Sequence, residues 1–351
     1  SFILLVGSLY VVAGGIHINV KGEATPLTNV VFLLVGAVLA NFLGTTGAAM
    51  LLIRPWLRMN QYRVTAHHVV FFIFIVANVG GCLTPIGDPP LFLGYLQGIP
   101  FWWVAEHCWR MWAMGIGILL AMFYVVDRRN FLRAPREIRQ RETILETWKF
   151  DGLANVFFLG LILGAVFIHR PVFLREAILL AAAAGSWWTT PRAVHEANRF
   201  NFHPIREVAV LFIGIFATMI PALDWLDLHA RALLGTQPAP AFFYFSTGTL
   251  STLLDNAPTY LSFLSALFGT SGAGDIGELL RGNALNLAAI SVGAVFFGAA
   301  TYIGNGPNFM VKAIADHEKV RTPTFPGFVW KFTLPFLLPM LLVVWLVFFR
   351  G

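Results

Sequence analysis

Residues 78–90 read NVGGCLTPIGDPP, in the middle of an apolar run that extends from 64 to 99. Three glycines, three prolines and an aspartate cannot sit inside one continuous helix, since each Gly costs about 1 kcal/mol and each Pro about 3 kcal/mol relative to Ala. The flanks, VVFFIFIVA and LFLGYL, are apolar enough for helix on either side. The stretch therefore predicts a helix that stops near Asn78 and a second that starts near Pro90. The event recurs at TYIGNGPN, 301–308, within the apolar run 284–316. Aligning PIGDPP from Pro85 with YIGNGP from Tyr302 pairs Gly87 with Gly304, Asp88 with Asn305 and Pro90 with Pro307, at an offset of 217. Upstream of each break lies another apolar run with a polar centre. LANFLGTTGAA from Leu39 aligns with LSTLLDNAPTY from Leu250 at an offset of 211, pairing Gly44 with Asp255, Thr45 with Asn256 and Ala48 with Thr259. Two motifs in one order at nearly one spacing are an internal repeat.

Composition sets the solvent. The chain is 57% hydrophobic and 12% charged, with a mean hydropathy of +0.71, whereas soluble domains carry about 25% charged residues. Spans of about 20 apolar residues are the useful ruler. Apolar segments fall at 2–18, 27–53, 64–99, 101–126, 151–169, 171–189, 207–225, 241–268, 284–316 and 328–349. The 33 Phe and 11 Trp suit lipid-facing surfaces and interfacial belts. The net charge of +6 forms no basic stripe interleaved with aromatics, which excludes a nucleic-acid reading. Cys82 and Cys108, both in apolar surroundings, read as packing residues rather than a disulfide or metal framework.

Charge placement orders the segments. The stretch from Asp127 to Lys149 holds six Arg and one Lys, which places it in the cytoplasm. Three simple crossings then put 226–240 outside. A fourth crossing by 241–268 would strand Lys312, Lys319 and Arg321 outside, so this segment is expected to turn back. Treating 27–53 alike leaves 18 of the 24 Lys and Arg on the cytoplasmic side. The expected fold is an all-α integral membrane protein: an inverted-repeat transporter with two re-entrant hairpins and two discontinuous transmembrane helices. Residues 1–126 form the first repeat, 127–150 a cytoplasmic basic linker and 151–351 the second repeat. One simple span precedes the first hairpin and three precede the second, so two further helices are expected ahead of Ser1.

Broken backbone at membrane depth needs protein or a water-filled cavity to satisfy its amides and carbonyls. The four breaks are therefore expected to share a cavity near mid-depth, with half-helix N-termini pointing into it. Pro90, Pro258 and Pro307 suit first helical turns, and Thr45 or Thr46 can cap the fourth. Asp88 and Asp255 stand in the breaks, where a carboxylate marks a substrate path, an ion site or a proton relay, or else caps a half-helix. With Asn256 they are the candidate sodium ligands. Asn41, Asn78, Thr84, Thr259, Asn305 and Asn308 either bind an ion or satisfy loose backbone. His67 and His68 read as interfacial, with no partner evident for a proton switch.

These four motifs, NFLGTTGAAMLLIRP, GGCLTPIGDPPLFLG, LLDNAPTY and YIGNGPNFM, resemble the ion transporter superfamily, and most of all bacterial proteins described as sodium/proton antiporters or citrate transporters. The resemblance runs from about Asn41 to the C-terminus. It implies a homodimer in a bacterial inner membrane, a scaffold part and a moving transport part, and substrate at the hairpin tips. Dicarboxylate carriers of that superfamily carry Ser-Asn-Thr at both tips, whereas here the tips read Gly-Thr-Thr and Asp-Asn-Ala-Pro-Thr. An extra aspartate beside a bound carboxylate is repulsive. The expected function is thus sodium/proton antiport by alternating access, with sodium-coupled uptake of citrate or another carboxylate as the alternative. No cofactor beyond sodium is expected. Neither a His-Glu-x-x-His motif nor a Ser with a partnered His supports an intramembrane enzyme.

Overall fold

A computed structural model describes residues 2–21, 24–133, 147–168, 170–171, 173–202 and 238–350, with scattered positions between 205 and 235. The described residues are mostly helical. Helix α1 (Phe2–Gly14) leads into a strand, β1 (His17–Lys21), and then into α2 (Pro26–Met59). Thr25 caps α2 by accepting the Thr28 amide, and Pro26 follows at the first position, where its missing N–H is no loss. Laid straight, such a helix would be about 50 Å long. Instead its ends meet: Asn29 and Asn60 exchange side-chain hydrogen bonds of 2.8 and 3.1 Å, and the Ala24 amide donates to the Met59 carbonyl at 3.1 Å.

The chain doubles back at Gly44, which departs from helical dihedrals at φ 73°, ψ 156°. A side chain in this left-handed region is strained by about 1–2 kcal/mol. A Cβ on Gly44 would also lie 3.2 Å from the Ile86 carbonyl. Gly44→Ala is therefore expected to lower stability by about 1–2 kcal/mol, read as a fall in melting temperature in detergent. Gly117→Ala, where a Cβ meets nothing within 4 Å, is the matched control; equal melting temperatures for the two variants would contradict the strain argument.

Residues 64–99 form the expected broken helix: α3 (Ala66–Ile75), a 3-10 turn (Val79–Gly81) and α4 (Pro89–Leu96). Helix α5 (Trp103–Arg133) runs through Asp127, so the linker expected to open at 127 begins after residue 133. Nothing in the sequence breaks the helix before Pro135. At the linker's far end Thr147–Asp151 is a strand, β2, paired antiparallel with β1. Helices α6 (Ala154–Val166), α7 (Leu174–Thr189) and α8 (Arg192–Ala197) follow. The expected crossing at 207–225 lies largely outside the described residues.

Helices α9 (Pro240–Leu253) and α10 (Asn256–Ser271) are joined at Leu254–Asp255. Pro238–Pro240 and Ser271 line one surface cavity, so the outer ends of these two helices adjoin as those of α2 do. Helix α11 (Ile276–Gly298) and helix α12 (Gly306–His317) form the second broken helix. The last helix, α13 (Phe325–Phe348), is π-helical across Val329–Leu337, where Pro335 sits inside it. Among the described residues four helices, α2, α5, α11 and α13, are long and apolar enough to cross a membrane by length and composition, though α2 turns back at Gly44.

The broken helices occupy the centre. Every residue from Val69 to Ala77 is fully buried, as are Val292 and Ala294–Phe296 of α11. A helix apolar all round belongs in such a place. By contrast Leu27, Val31, Val35, Val38 and Phe42 form an exposed apolar stripe along the first arm of α2, at the three-to-four-residue spacing of one helix face.

The two breaks make matching contacts. The Thr84 hydroxyl accepts the Gly87 amide at 3.1 Å and donates to the Asn41 carbonyl at 2.6 Å. The Thr301 hydroxyl accepts the Gly304 amide at 3.1 Å and donates to the Thr252 carbonyl at 2.6 Å. Thr84 and Thr301 stand at the 217-residue offset, and Asn41 and Thr252 at the 211-residue offset. The glycines match as well. A Cβ on Gly87 would lie 2.1 Å from the Gly81 carbonyl oxygen, and one on Gly304 would lie 2.6 Å from that of Gly298. Each break thus closes on itself where two backbones touch, which only glycine permits.

Candidate functional site

All four breaks converge on one side chain. Asp88 is buried at the N-cap position of α4. Its Oδ1 accepts the Thr45 hydroxyl at 2.7 Å and Asn305 Nδ2 at 3.0 Å, and its Oδ2 accepts Asn256 Nδ2 at 2.5 Å. Thr45 comes from the α2 turn, Asn256 from the α9–α10 turn and Asn305 from the second broken helix. Asp88 and Asn305 stand at the 217-residue offset, so the contact joins the matching positions of the two broken helices. A backbone bond from the Thr45 amide to the Gly87 carbonyl, 2.8 Å, fixes the first turn against the first break.

Beside this junction lies a small cavity of about 50 Å³, walled by Thr45, Thr46, Asp88, Asp255 and Asn305 together with apolar groups of α1 and α4. Asp255 is half-buried and caps α10 by accepting the Ala257 amide at 3.0 Å. Helices α4, α10 and α12 all begin at this cavity, so three positive helix ends face it. No Lys or Arg is among its described lining residues. The three donors to Asp88 are neutral, and a buried carboxylate with neutral donors alone lacks the counter-charge that stabilises it. Next to it, Asn256 Oδ1 is buried without a hydrogen-bond donor. The arrangement has spare oxygen acceptors and a net negative formal charge, which suits a hard cation or a proton.

The remaining candidates do other work. Asn41 Nδ2 donates to the Ala37 and Gly80 carbonyls at 3.0 and 2.7 Å, and its Oδ1 accepts the Leu83 amide at 2.9 Å. Asn308 Nδ2 donates to the Gly298 and Thr301 carbonyls, both at 2.8 Å. Asn78 bridges the halves, donating to Asn308 Oδ1 at 2.6 Å and to the Ile73 carbonyl at 2.8 Å. Thr259 donates to the Asp255 carbonyl at 3.0 Å. Asn41, Asn78, Thr84, Thr259 and Asn308 thus satisfy backbone and hold the breaks together, while Thr45, Asn256 and Asn305 touch Asp88.

The pairing of His67 and His68 was not legible from the sequence. Both donate Nε2–H to Asp127 Oδ1, at 3.2 and 3.1 Å. The Thr65 amide donates to His68 Nδ1 at 3.2 Å, which fixes the proton of neutral His68 on Nε2. Arg63 contacts both carboxylate oxygens of Asp127, and Asn29 Nδ2 donates to Oδ2 at 2.9 Å. Burial opposes the charge on Arg63, but its hydrogen bonds to Asp127 outweigh that and raise its pKa. The three groups His67, His68 and Asp127 lie close enough to hold a metal ion. However, a proton on His68 Nε2 and a guanidinium against the same carboxylate make this a hydrogen-bonded clamp instead. It ties both arms of α2 to α3 and α5. The sequence carried no local signal for it, since Arg63 and Asp127 are 64 residues apart.

The family described as "Putative citrate transport" matches this chain over residues 1–349. No curated protein matches it significantly.

Proposed function

The chain belongs to the putative citrate transport family, and on that premise we propose that it is a secondary active transporter of a small carboxylate, citrate foremost, coupled to a cation held at Asp88. The substrate class rests on the family, and the coupling rests on the junction where Asp88 meets all four breaks without a cationic partner. In this reading the α2 turn and the α9–α10 turn are re-entrant hairpins, and the two halves are inverted repeats about that junction. The stretch 127–150 faces the cytoplasm. Three helix N-termini receive the substrate carboxylates, while sodium or a proton neutralises Asp88 so that the anion is not repelled.

Cation exchange, the function expected from the sequence, is the second reading. It is favoured by the two aspartates and the absence of Lys and Arg among the described lining residues of the cavity. The two readings part at Asp255. Asn caps helices as well as Asp, so Asp255→Asn keeps the fold and removes one negative charge. In a carboxylate carrier this variant, in proteoliposomes with a sodium gradient, takes up labelled citrate at or above the wild-type rate. In an antiporter it abolishes sodium-dependent proton movement. A wild-type protein that moves protons against sodium and takes up no citrate would refute the first reading.

A further inference from the structure

A second cavity, of about 470 Å³, lies along the same three elements that wall the central one. On α1 the lining passes from Leu9 to Tyr10, on the second arm of α2 from Gly47 to Met50 and Arg54, and on α12 from Pro307 to Met310 and His317. The nearest lining positions lie three residues apart on both α2 and α12, a rise of about 4.5 Å, just under one helical turn. The cavities are thus successive chambers of one groove. On α2 and α12 the residues of the second lining nearest the first are Met50 and Met310, unbranched and flexible side chains.

The outer chamber has the opposite electrostatic character to the inner one. Arg199 donates to His317 Nδ1 at 2.7 Å and to Glu318 Oε1 at 2.9 Å, so Glu318 is already matched and His317, accepting there, is neutral. Arg54 feels the Glu318 charge without a hydrogen bond to it, and its Nε–H is buried without an acceptor. An unsatisfied donor on a cationic group at a cavity wall calls for an anion. We infer that the Arg54 chamber is an anion-binding vestibule, where a di- or tricarboxylate is held by the Arg54 guanidinium about two helical turns along α2 from Gly47 of the central cavity. The inference rests on the carboxylate reading above and deepens it. Positive-inside charge places the chamber's mouth on the cytoplasmic face.

The test uses the full chain in proteoliposomes, with labelled citrate uptake and equilibrium binding measured for wild type, Arg54→Gln, Arg54→Lys and Asp88→Asn. Loss of one charge-assisted contact is expected to raise the citrate KM roughly tenfold in Arg54→Gln. Turnover should stay at the wild-type value, and Arg54→Lys should recover part of the affinity. The Arg54→Gln melting temperature should equal or exceed that of wild type, because a buried Nε–H without an acceptor has been removed. Wild-type KM in Arg54→Gln, with citrate transport intact, overturns the vestibule and leaves the carboxylate reading standing. A raised KM accompanied by a lower melting temperature assigns Arg54 a structural role and also overturns it. A wild type that exchanges cations but neither binds nor moves citrate overturns both.

Discussion

Asp88→Asn is expected to reduce cation-coupled transport by at least about a hundredfold, since a lost charge-assisted ligand at a buried site weakens binding by about 3 kcal/mol. The fold should survive. Asp88 accepts from three neutral donors, and an amide at this position replaces one acceptor oxygen by a donor. Asn256 absorbs the change, because its Oδ1 is buried without a donor and a flip of its amide turns that oxygen toward the new N–H. Uptake assays across a range of sodium concentrations check this. Wild-type sodium dependence in Asp88→Asn would refute the assignment of the coupling site. Protons compete with a cation for a carboxylate, so in the wild type the apparent sodium affinity should weaken as pH falls. In Asp88→Asn that pH dependence should be absent.

Asp127→Ala is expected to lower stability by about 3–5 kcal/mol, the range for removing one partner of a buried ion pair and leaving the other uncompensated. The substitution strands the Arg63 guanidinium, two imidazole N–H groups and the Asn29 amide at once. Because the clamp ties the outer ends of α2 to α3 and α5, the loss should appear as a large fall in melting temperature in detergent. Arg63→Met combined with Asp127→Leu removes both charges and should recover much of the loss. A melting temperature unchanged in Asp127→Ala would show that the network carries no net stability. The position is remote from the central cavity, so the surviving folded fraction of Asp127→Ala should keep a wild-type KM.

Much of this fold was written along the chain. Gly80, Gly81, Gly87 and the prolines at 85, 89 and 90 forbid a continuous helix whatever surrounds them, so the break at 78–88 followed from local dihedral preference and the missing proline N–H. The matching interruption at 301–306 and the two offsets then specified an internal repeat. Gly44 could be placed at a turn because the segment carried its polar cluster there. The α5 boundary was misread because basic residues mark a membrane side, not a helix end, and the helix keeps its hydrogen bonds through Asp127 to Arg133.

The sequence by itself determined that the chain breaks its helices four times, where it does so, and that the polar groups Thr45, Asp88, Asp255, Asn256 and Asn305 stand at those breaks. Such information is local, since it lies in residue types a few positions apart. Only the tertiary structure decided which of the polar groups face one another. It gave Asp88 its three neutral donors, turned Asn41, Thr84 and Asn308 onto backbone carbonyls, paired both histidines with Asp127 and left the Arg54 Nε–H without an acceptor. A side chain's partner depends on the packing of elements that are distant along the chain, and the energy of a buried polar group is set by that partner rather than by its neighbours in sequence.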